Sequence, residues 1–229
     1  MNNTINSPLL YPAILTDSLQ VVQKQLDLVK DQAAVSVVQL DVIDGQFVDN
    51  LTVTPADLLE LDWGNLKVDF HLMTNEPMDY VWELIEVEKE LPIRAVIAQV
   101  ERMSYQADFF QEVARHGWQA GLSLDLYTPL SAVDDSIWAE LNLIQLMGIK
   151  AGFQGQQFQD QVLAKLQKLQ DLVNQRELSL EILVDGGVKL INAAKLIKAG
   201  ATGLVVGSAL WQAQDLDQVV KQFNDFAKQ

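Results

Sequence analysis

The sequence predicts an α/β fold of the (β/α)8 class, a TIM barrel built as a single domain over residues 1–229. Short apolar runs alternate with amphipathic stretches along the chain, which is typical of strands that are each followed by a helix. The length of 229 residues suits one barrel and allows a large core. No linker rich in Pro, Gly or Ser divides the chain, so we expect one domain.

The apolar runs predict eight strands, at residues 10–15, 35–42, 66–72, 95–100, 120–124, 143–147, 180–184 and 203–206. The stretches between them carry apolar residues at helical spacing, so we expect eight helical segments. Seven of them have bounds or a starting point: one begins near residue 17, one opens at Thr128-Pro129, and the others cover 78–90, 104–115, 162–173, 188–199 and 216–226. Proline is tolerated in the first turn of a helix, which favours the one at Thr128-Pro129. A long loop beginning at Asp44-Gly45 follows the second strand.

An open, doubly wound sheet is the alternative architecture. That fold would place a glycine-rich turn directly after the first strand. The sequence there is Thr16-Asp17-Ser18, with no glycine. The barrel is therefore the favoured interpretation.

Composition and charge exclude several classes of function. The net charge of −15 argues against nucleic acid and against anionic membrane surfaces as partners. No apolar run is long enough to span a bilayer, and the polar residues 1–8 carry no signal pattern. The absence of cysteine excludes disulfides and cysteine metal sites. We expect a cytoplasmic protein that forms a homo-oligomer.

The second predicted strand carries two polar residues, Gln39 and Asp41, on one face of an otherwise apolar run. A carboxylate on a covered strand is costly unless it meets a partner. One interpretation is that Asp41 belongs to an active site at the end of the strand. The other is that it caps the next segment or begins a turn.

Working residues of such a barrel lie at the carboxyl ends of its strands. Asp41 and Asp185 are at the ends of strands two and seven, three steps apart around a ring of eight. Two carboxylates that flank a substrate can invert a carbon next to a carbonyl, because one removes a proton from one face and the other returns it on the opposite face. Both could instead cap helices or bind loop N–H groups.

Seven segments then resemble one family: residues 40–48 and six further motifs that occur in the family's order along the chain. Residues 40–48, Leu-Asp-Val-Ile-Asp-Gly-Gln-Phe-Val, closely resemble a signature of the ribulose-phosphate 3-epimerases. Similar to that family are also Pro12-Ala13-Ile14-Leu15-Thr16, Asp69-Phe70-His71-Leu72-Met73, residues 121–129, residues 147–158, Val184-Asp185-Gly186-Gly187-Val188 and Gly207-Ser208-Ala209-Leu210.

The resemblance implies a (β/α)8 enzyme that epimerises a ketose phosphate, most simply D-ribulose 5-phosphate to D-xylulose 5-phosphate in the pentose phosphate pathway. It implies that Asp41 and Asp185 are the catalytic pair. A divalent metal (Mn, Zn, Fe or Mg) would be held by Asp41, His71, Asp185 and the position of Gln39. The sugar phosphate would rest on glycine turns beside an apolar lining, and the residues in these roles are Gly155, Gly186, Gly187, Gly207, Ser208, Met73 and Met147.

Several positions depart from the family pattern. Gln39 replaces a histidine, Ala13 a serine, Lys150-Ala151 a polar residue and proline, and Gln154 a glycine, while Gln99 stands where histidine is common. An amide oxygen is a poor zinc ligand but can bind a hard ion, so we expect weak or altered metal binding, with Gln39 a doubtful ligand. Only two histidines are present; His116 is interpreted as a solvated helix end, and His71 as either a ligand or a core histidine.

Lys150 is the one cation that could enter the mouth of the barrel. It could compensate for a weakened metal, act as a Schiff-base lysine, or simply be a solvated loop residue. Two alternatives to the main function also stay open: a non-catalytic relative that binds a phosphosugar, and an epimerase of another ketose phosphate such as a hexulose 6-phosphate.

Overall fold

The computed structural model describes residues 9–153 and 155–226, and these form a closed barrel of eight parallel strands in the order β1 to β8. The strands are β1 Leu10–Ile14, β2 Val37–Ile43, β3 Lys67–Met73, β4 Ile93–Gln99, β5 Gln119–Leu124, β6 Leu143–Met147, β7 Glu181–Asp185 and β8 Gly203–Val206. All eight predicted strands are confirmed, with differences of a few residues at their ends. Strand β8 pairs with β1, Leu10 opposite Leu204, and this pairing closes the ring.

Alternation along each strand divides the core into two parts. One set of side chains packs together inside the barrel and includes Tyr11, Val37, Ile97 and Leu183. The intervening residues point outward and join the helices in a larger apolar cluster. Because both faces are covered, the strands are apolar nearly throughout, and each polar side chain inside the barrel needs a partner there.

Among the described residues, seven α-helices surround the strands, and a 3₁₀ turn takes the place of a longer helix in two connections. The helices are α1 Leu19–Val29, α2 Pro77–Glu86, α3 Gln106–Arg115, α4 Gln161–Gln175, α5 Leu190–Lys198, α6 Ser208–Trp211 and α7 Leu216–Phe226. The connection after β2 contains only the 3₁₀ turn Pro55–Leu58, following the predicted long loop.

The helix predicted to open at Thr128-Pro129 is wrong. Pro129 has an extended backbone, and only the 3₁₀ turn Leu130–Ala132 follows it. Further along, the Ile137 N–H donates to the Asp134 carbonyl, three residues back rather than four. The apolar residues that suggested a helix are nevertheless buried, so a series of tight turns covers this side of the barrel.

A network of charges closes the amino-terminal end of the barrel. The Arg94 guanidinium contacts both Asp69, which is fully buried, and Glu181, and the Tyr11 hydroxyl donates to Glu181 over 2.8 Å. Asp69, two residues before His71, thus belongs to the end of the barrel that stabilises the fold. The chemistry must be sought at the opposite end.

Within the described part of the chain, no helix combines the length and apolar character needed to cross a membrane. Residues 1–8, with their predicted lack of a signal pattern, lie outside the described residues. That the domain covers all of residues 1–229, that the protein is cytoplasmic and that it forms a homo-oligomer stay predictions.

Candidate active site

The carboxyl ends of the strands surround a cavity of about 460 Å³, measured with its open mouth. All but two of the site residues predicted from the sequence line it, namely Asp41, Met73, Met147, Gly155, Asp185, Gly186, Gly187, Gly207 and Ser208. Met73 and Met147 form part of an apolar cluster on its wall. The other two, Gln39 and His71, are fully buried and contact the carboxylates that line the cavity.

Asp41 and Asp185 come together in the cavity although 144 positions separate them in the sequence. Asp41 lies inside β2 and pairs with His71 of β3, whereas Asp185 ends β7. The two carboxylates and the His71 ring each offer an atom within 4.8 Å of the others. Asp41 is held further by Thr52, whose hydroxyl donates to the Asp41 carbonyl over 2.8 Å. The two carboxylates therefore share one buried centre.

His71 and Gln39 both contact this pair. The His71 Nδ1 atom lies 2.9 Å from Asp41 Oδ1 and 3.6 Å from Asp185 Oδ2. The Gln39 NH₂ group donates to Asp41 Oδ1 over 2.9 Å and to Asp185 Oδ2 over 2.8 Å. Gln39 thus bridges the two carboxylates through its nitrogen.

The buried setting shifts the pKa of Asp185 and of His71. Burial, reinforced by the negative charge of Asp41, raises the pKa of Asp185 to about 7 against the opposing effects of His71 and of the Gln39 hydrogen bond. Burial alone would lower the pKa of His71, but the hydrogen bond and charge of Asp41, together with the charges of Asp185 and Glu101, outweigh it, so that the pKa is raised. A proton is therefore available in this centre near neutral pH.

Sequence analysis missed Gln145. Its NH₂ group donates to Asp185 Oδ2 over 3.0 Å, and its side chain is fully buried inside the barrel. The sequence did contain a usable signal: Gln145 is a polar residue within an apolar strand, on the same face as Met147. Gln39 interrupts β2 in the same way.

Gln99 holds the far side of the His71 ring. The Gln99 amide end lies 3.1 Å from His71 Nε2, and its neighbours are satisfied when the oxygen faces the ring. In that orientation the oxygen accepts from His71 Nε2 and the Ser123 hydroxyl, each over 3.1 Å, and the NH₂ group donates to Glu101 Oε2 over 2.9 Å. An acceptor at Nε2 fixes the imidazole so that Nδ1 faces the carboxylates. From the sequence, Gln99 is only a departure from the family pattern. In the structure it contacts the His71 ring.

Asp41, His71 and Asp185 could form a metal site. Two carboxylates and one imidazole are a donor set that divalent ions accept. Gln39 presents its NH₂ group to the carboxylates, while its Oε1 atom is buried with no hydrogen-bond partner among the described residues. Three residues therefore offer ligand atoms to an ion, and Gln39 does not offer a fourth in this orientation.

Glycine turns form the wall beside Asp185. Gly186 and Gly187 have positive φ angles of 95° and 69°, a conformation that other residues rarely adopt. A Cβ on Gly186 would lie 2.3 Å from Ile149 Cγ1, and one on Gly187 would lie 2.9 Å from Phe158 Cα. Glycine at both positions keeps this wall close to the cavity with its backbone accessible.

The remaining candidate residues lie outside the centre. Lys150 is exposed and does not line the cavity, and Gln154 lies outside the described residues. Ala13 lines the cavity wall. His116 ends α3 as predicted, but it is not solvated. The ring is only 19% exposed, and its Nδ1 lies 2.6 Å from Glu88 Oε2.

Comparison with known proteins identifies the family of this chain. The model of the ribulose-phosphate 3-epimerase family matches residues 9–211. The chain belongs to this family. It is 32% identical to the chloroplastic ribulose-5-phosphate-3-epimerase of Arabidopsis thaliana over 92% of this chain and 74% of that protein. It is 31% identical to the ribulose-phosphate 3-epimerase of Escherichia coli K12 over 83% of each chain. This member of the family is accordingly an enzyme, a carbohydrate epimerase acting on a ketose phosphate.

More distant structures share only the fold. Tryptophan synthase of Mycobacterium tuberculosis superposes with a TM-score of 0.68 over 96% of this chain and 92% of that one, at 11% sequence identity. An identity this low carries no information about the site. The epimerase assignment therefore depends on the sequence relatives.

Proposed function

We propose that this epimerase interconverts D-ribulose 5-phosphate and D-xylulose 5-phosphate by proton transfer between Asp41 and Asp185. The single observation that supports this proposal most strongly is that these two carboxylates, from β2 and β7, meet in one cavity beside the glycine turns. Inversion at carbon 3 needs a group on each face of the sugar, one to take the proton and one to return it.

Asp185 is suited to proton exchange near neutral pH because its pKa is raised to about 7. The substrate phosphate would lie against the backbone at Gly186, Gly187, Gly207 and Ser208, where N–H groups can bind an anion without a basic side chain. A net charge of −15 is compatible with such a site, since the turns provide local donors. Met73 and Met147 would exclude water from the sugar carbons.

Asp41, His71 and Asp185 would hold a divalent ion, with Mn, Mg, Fe and Zn as candidates and Gln39 as a doubtful fourth ligand. Such an ion would supply positive charge next to the reacting carbonyl. The protein itself provides the two carboxylates, the hydrogen bonds that orient them and the wall that holds the phosphate.

The test is solvent exchange measured separately from inversion. D-ribulose 5-phosphate and D-xylulose 5-phosphate are each incubated with enzyme in D₂O, and deuterium at carbon 3 is followed by NMR. We expect the wild type to invert and exchange both sugars. Asp41→Asn and Asp185→Asn should each abolish inversion, and each should still exchange the one sugar whose proton faces the remaining carboxylate.

Asp49→Asn, a change of the same kind at an exposed position in the loop after β2, serves as the control and should behave as wild type. Inversion that survives either active-site substitution would contradict the two-base assignment. A panel that includes a hexulose 6-phosphate identifies the sugar: faster turnover of the six-carbon substrate would replace the pentose in this proposal.

A further inference from the structure

Buried amide groups surround the two carboxylates. Gln39 and Gln145 are fully buried inside the barrel and direct their NH₂ groups at Asp41 and Asp185. Asp185 Oδ2 receives hydrogen bonds from both amides, over 2.8 and 3.0 Å. The carboxylates thus meet N–H donors on the side where His71 also approaches.

Two carboxylates this close need something positive between them. Buried like charges repel strongly, and a proton, a cation or hydrogen-bond donors must offset that repulsion. A glutamine NH₂ group has two hydrogens, and Gln39 has an acceptor within range for each, one on Asp41 and one on Asp185. It therefore links the carboxylates as a bridging ion would.

We propose that the NH₂ groups of Gln39 and Gln145 organise the carboxylate pair when no metal ion is bound, so that these amides compete with divalent cations for the centre. This inference rests on the proposed function for its catalytic meaning, but its test is a binding measurement. Gln39 and Gln145 are positioning residues in this scheme, because they act through Asp41 and Asp185.

The orientation of the amides supports competition rather than ligation. The Oε1 atoms of Gln39 and Gln145 are buried with no hydrogen-bond partner among the described residues, although each could accept one. To ligate an ion, Gln39 would have to turn its oxygen toward the carboxylates and lose both hydrogen bonds. An ion held by Asp41, His71 and Asp185 must therefore displace these hydrogen bonds, and that requirement weakens its binding.

Replacing Gln39 shows whether its amide competes with the metal ion or ligates it, because the two cases change the metal affinity in opposite directions. Gln39→Leu removes the NH₂ group without adding a donor, so an amide that competes predicts tighter metal binding, whereas an amide that ligates predicts weaker binding. Gln39→His adds an imidazole and gives two carboxylates and two histidines, a set that suits zinc and cobalt. We expect Gln39→His to tighten binding by at least about tenfold, the lower end of what a lost partner at a metal site typically costs.

The experiment titrates Co²⁺ into purified, chelator-treated full-length protein, by calorimetry and by the visible absorption of bound cobalt. Circular dichroism confirms that each variant is folded. Gln161→His, which adds a histidine at an exposed helix position, controls for adventitious binding and should match the wild type.

The expected order of affinity is wild type weakest, with both Gln39→Leu and Gln39→His tighter. Equal or weaker binding by Gln39→Leu than by the wild type would overturn the proposal. Should Gln39→Leu not fold, Gln145→Leu decides, because it removes the second NH₂ group that contacts Asp185. Cobalt binding by that variant no tighter than by the wild type would also overturn the proposal. None of these results depends on turnover, so a failure of the proposed epimerase activity would be seen separately in the deuterium experiment.

Discussion

Replacing Asp185 by asparagine should abolish inversion and yet stabilise the protein in neutral solution. The Asp185 carboxyl is buried close to Asp41, and these surroundings raise its pKa to about 7. In the unfolded chain an aspartate ionises near pH ~4. Between these two values the folded state holds a proton that the unfolded state has lost, so the stability contributed by Asp185 falls as the pH rises.

The size of the effect follows from the width of that interval. Each pH unit within it costs about 1.4 kcal/mol, so the wild type loses on the order of 3 kcal/mol of unfolding free energy between about pH 5 and pH 7. Above the folded pKa the loss is complete and does not grow further. Asparagine is neutral throughout and nearly the same shape, so the Asp185→Asn variant escapes this loss.

The assay is urea unfolding followed by circular dichroism at about pH 5 and about pH 8, with a chelator present so that no ion neutralises the carboxylates. From the lower to the higher pH, the stability of Asp185→Asn relative to the wild type should rise by about 3 kcal/mol. Inversion should be lost, which means a fall in turnover of at least about 10²- to 10⁴-fold, the usual contribution of a general acid or base. Asp49→Asn should show neither change.

Two results would refute this reasoning. A stability difference that does not vary with pH would mean that Asp185 ionises at an ordinary pH despite its burial. Unchanged turnover would mean that Asp185 is not one of the two proton-transfer groups. The first result concerns the electrostatics of the centre, and the second concerns the proposed function.

Three further substitutions test other parts of the molecule. Gly203→Ala would place a Cβ 2.5 Å from Leu183 Cδ2 inside the barrel, so urea unfolding should show a loss of about 1–3 kcal/mol; an unchanged midpoint would contradict the tight packing. Gly187→Ala forces a side chain into a turn with φ of 69°, and steady-state kinetics should show KM for the sugar phosphate raised by at least about tenfold if that turn binds phosphate. Gln99→Leu leaves the His71 Nε2–H without its acceptor and should cost about 1–3 kcal/mol in urea unfolding; an unchanged midpoint would contradict this contact.

Local patterns were sufficient for the strands but not for every helix. Buried parallel strands are short, apolar and separated by polar segments, so their positions can be read from the sequence. The segment after Thr128-Pro129 also has apolar residues at helical spacing, yet it folds as tight turns. Burial of those residues requires only that they reach the barrel, and turns achieve this as well as a helix does.

The site was predicted in outline for a similar reason. Asp41, His71 and Asp185 lie in motifs that resemble a family, and the structure brings their side chains together. Gln145 lies in no such motif and was overlooked, although its polar side chain on a covered strand was a usable signal. Lys150 was considered for the mouth of the barrel because of its charge, and it is exposed outside the cavity.

The sequence by itself determined the alternation of strands and helices, the family and the residues that carry its motifs, because these depend on the order and spacing of side chains along the chain. Only the tertiary structure decided which way the buried amides face. Gln39 could offer either an oxygen or an NH₂ group, and the choice depends on Asp41 and Asp185, which closure of the barrel brings within 2.9 and 2.8 Å of its nitrogen. Two acceptors converge there from strands far apart in the sequence, and two acceptors favour a donor between them.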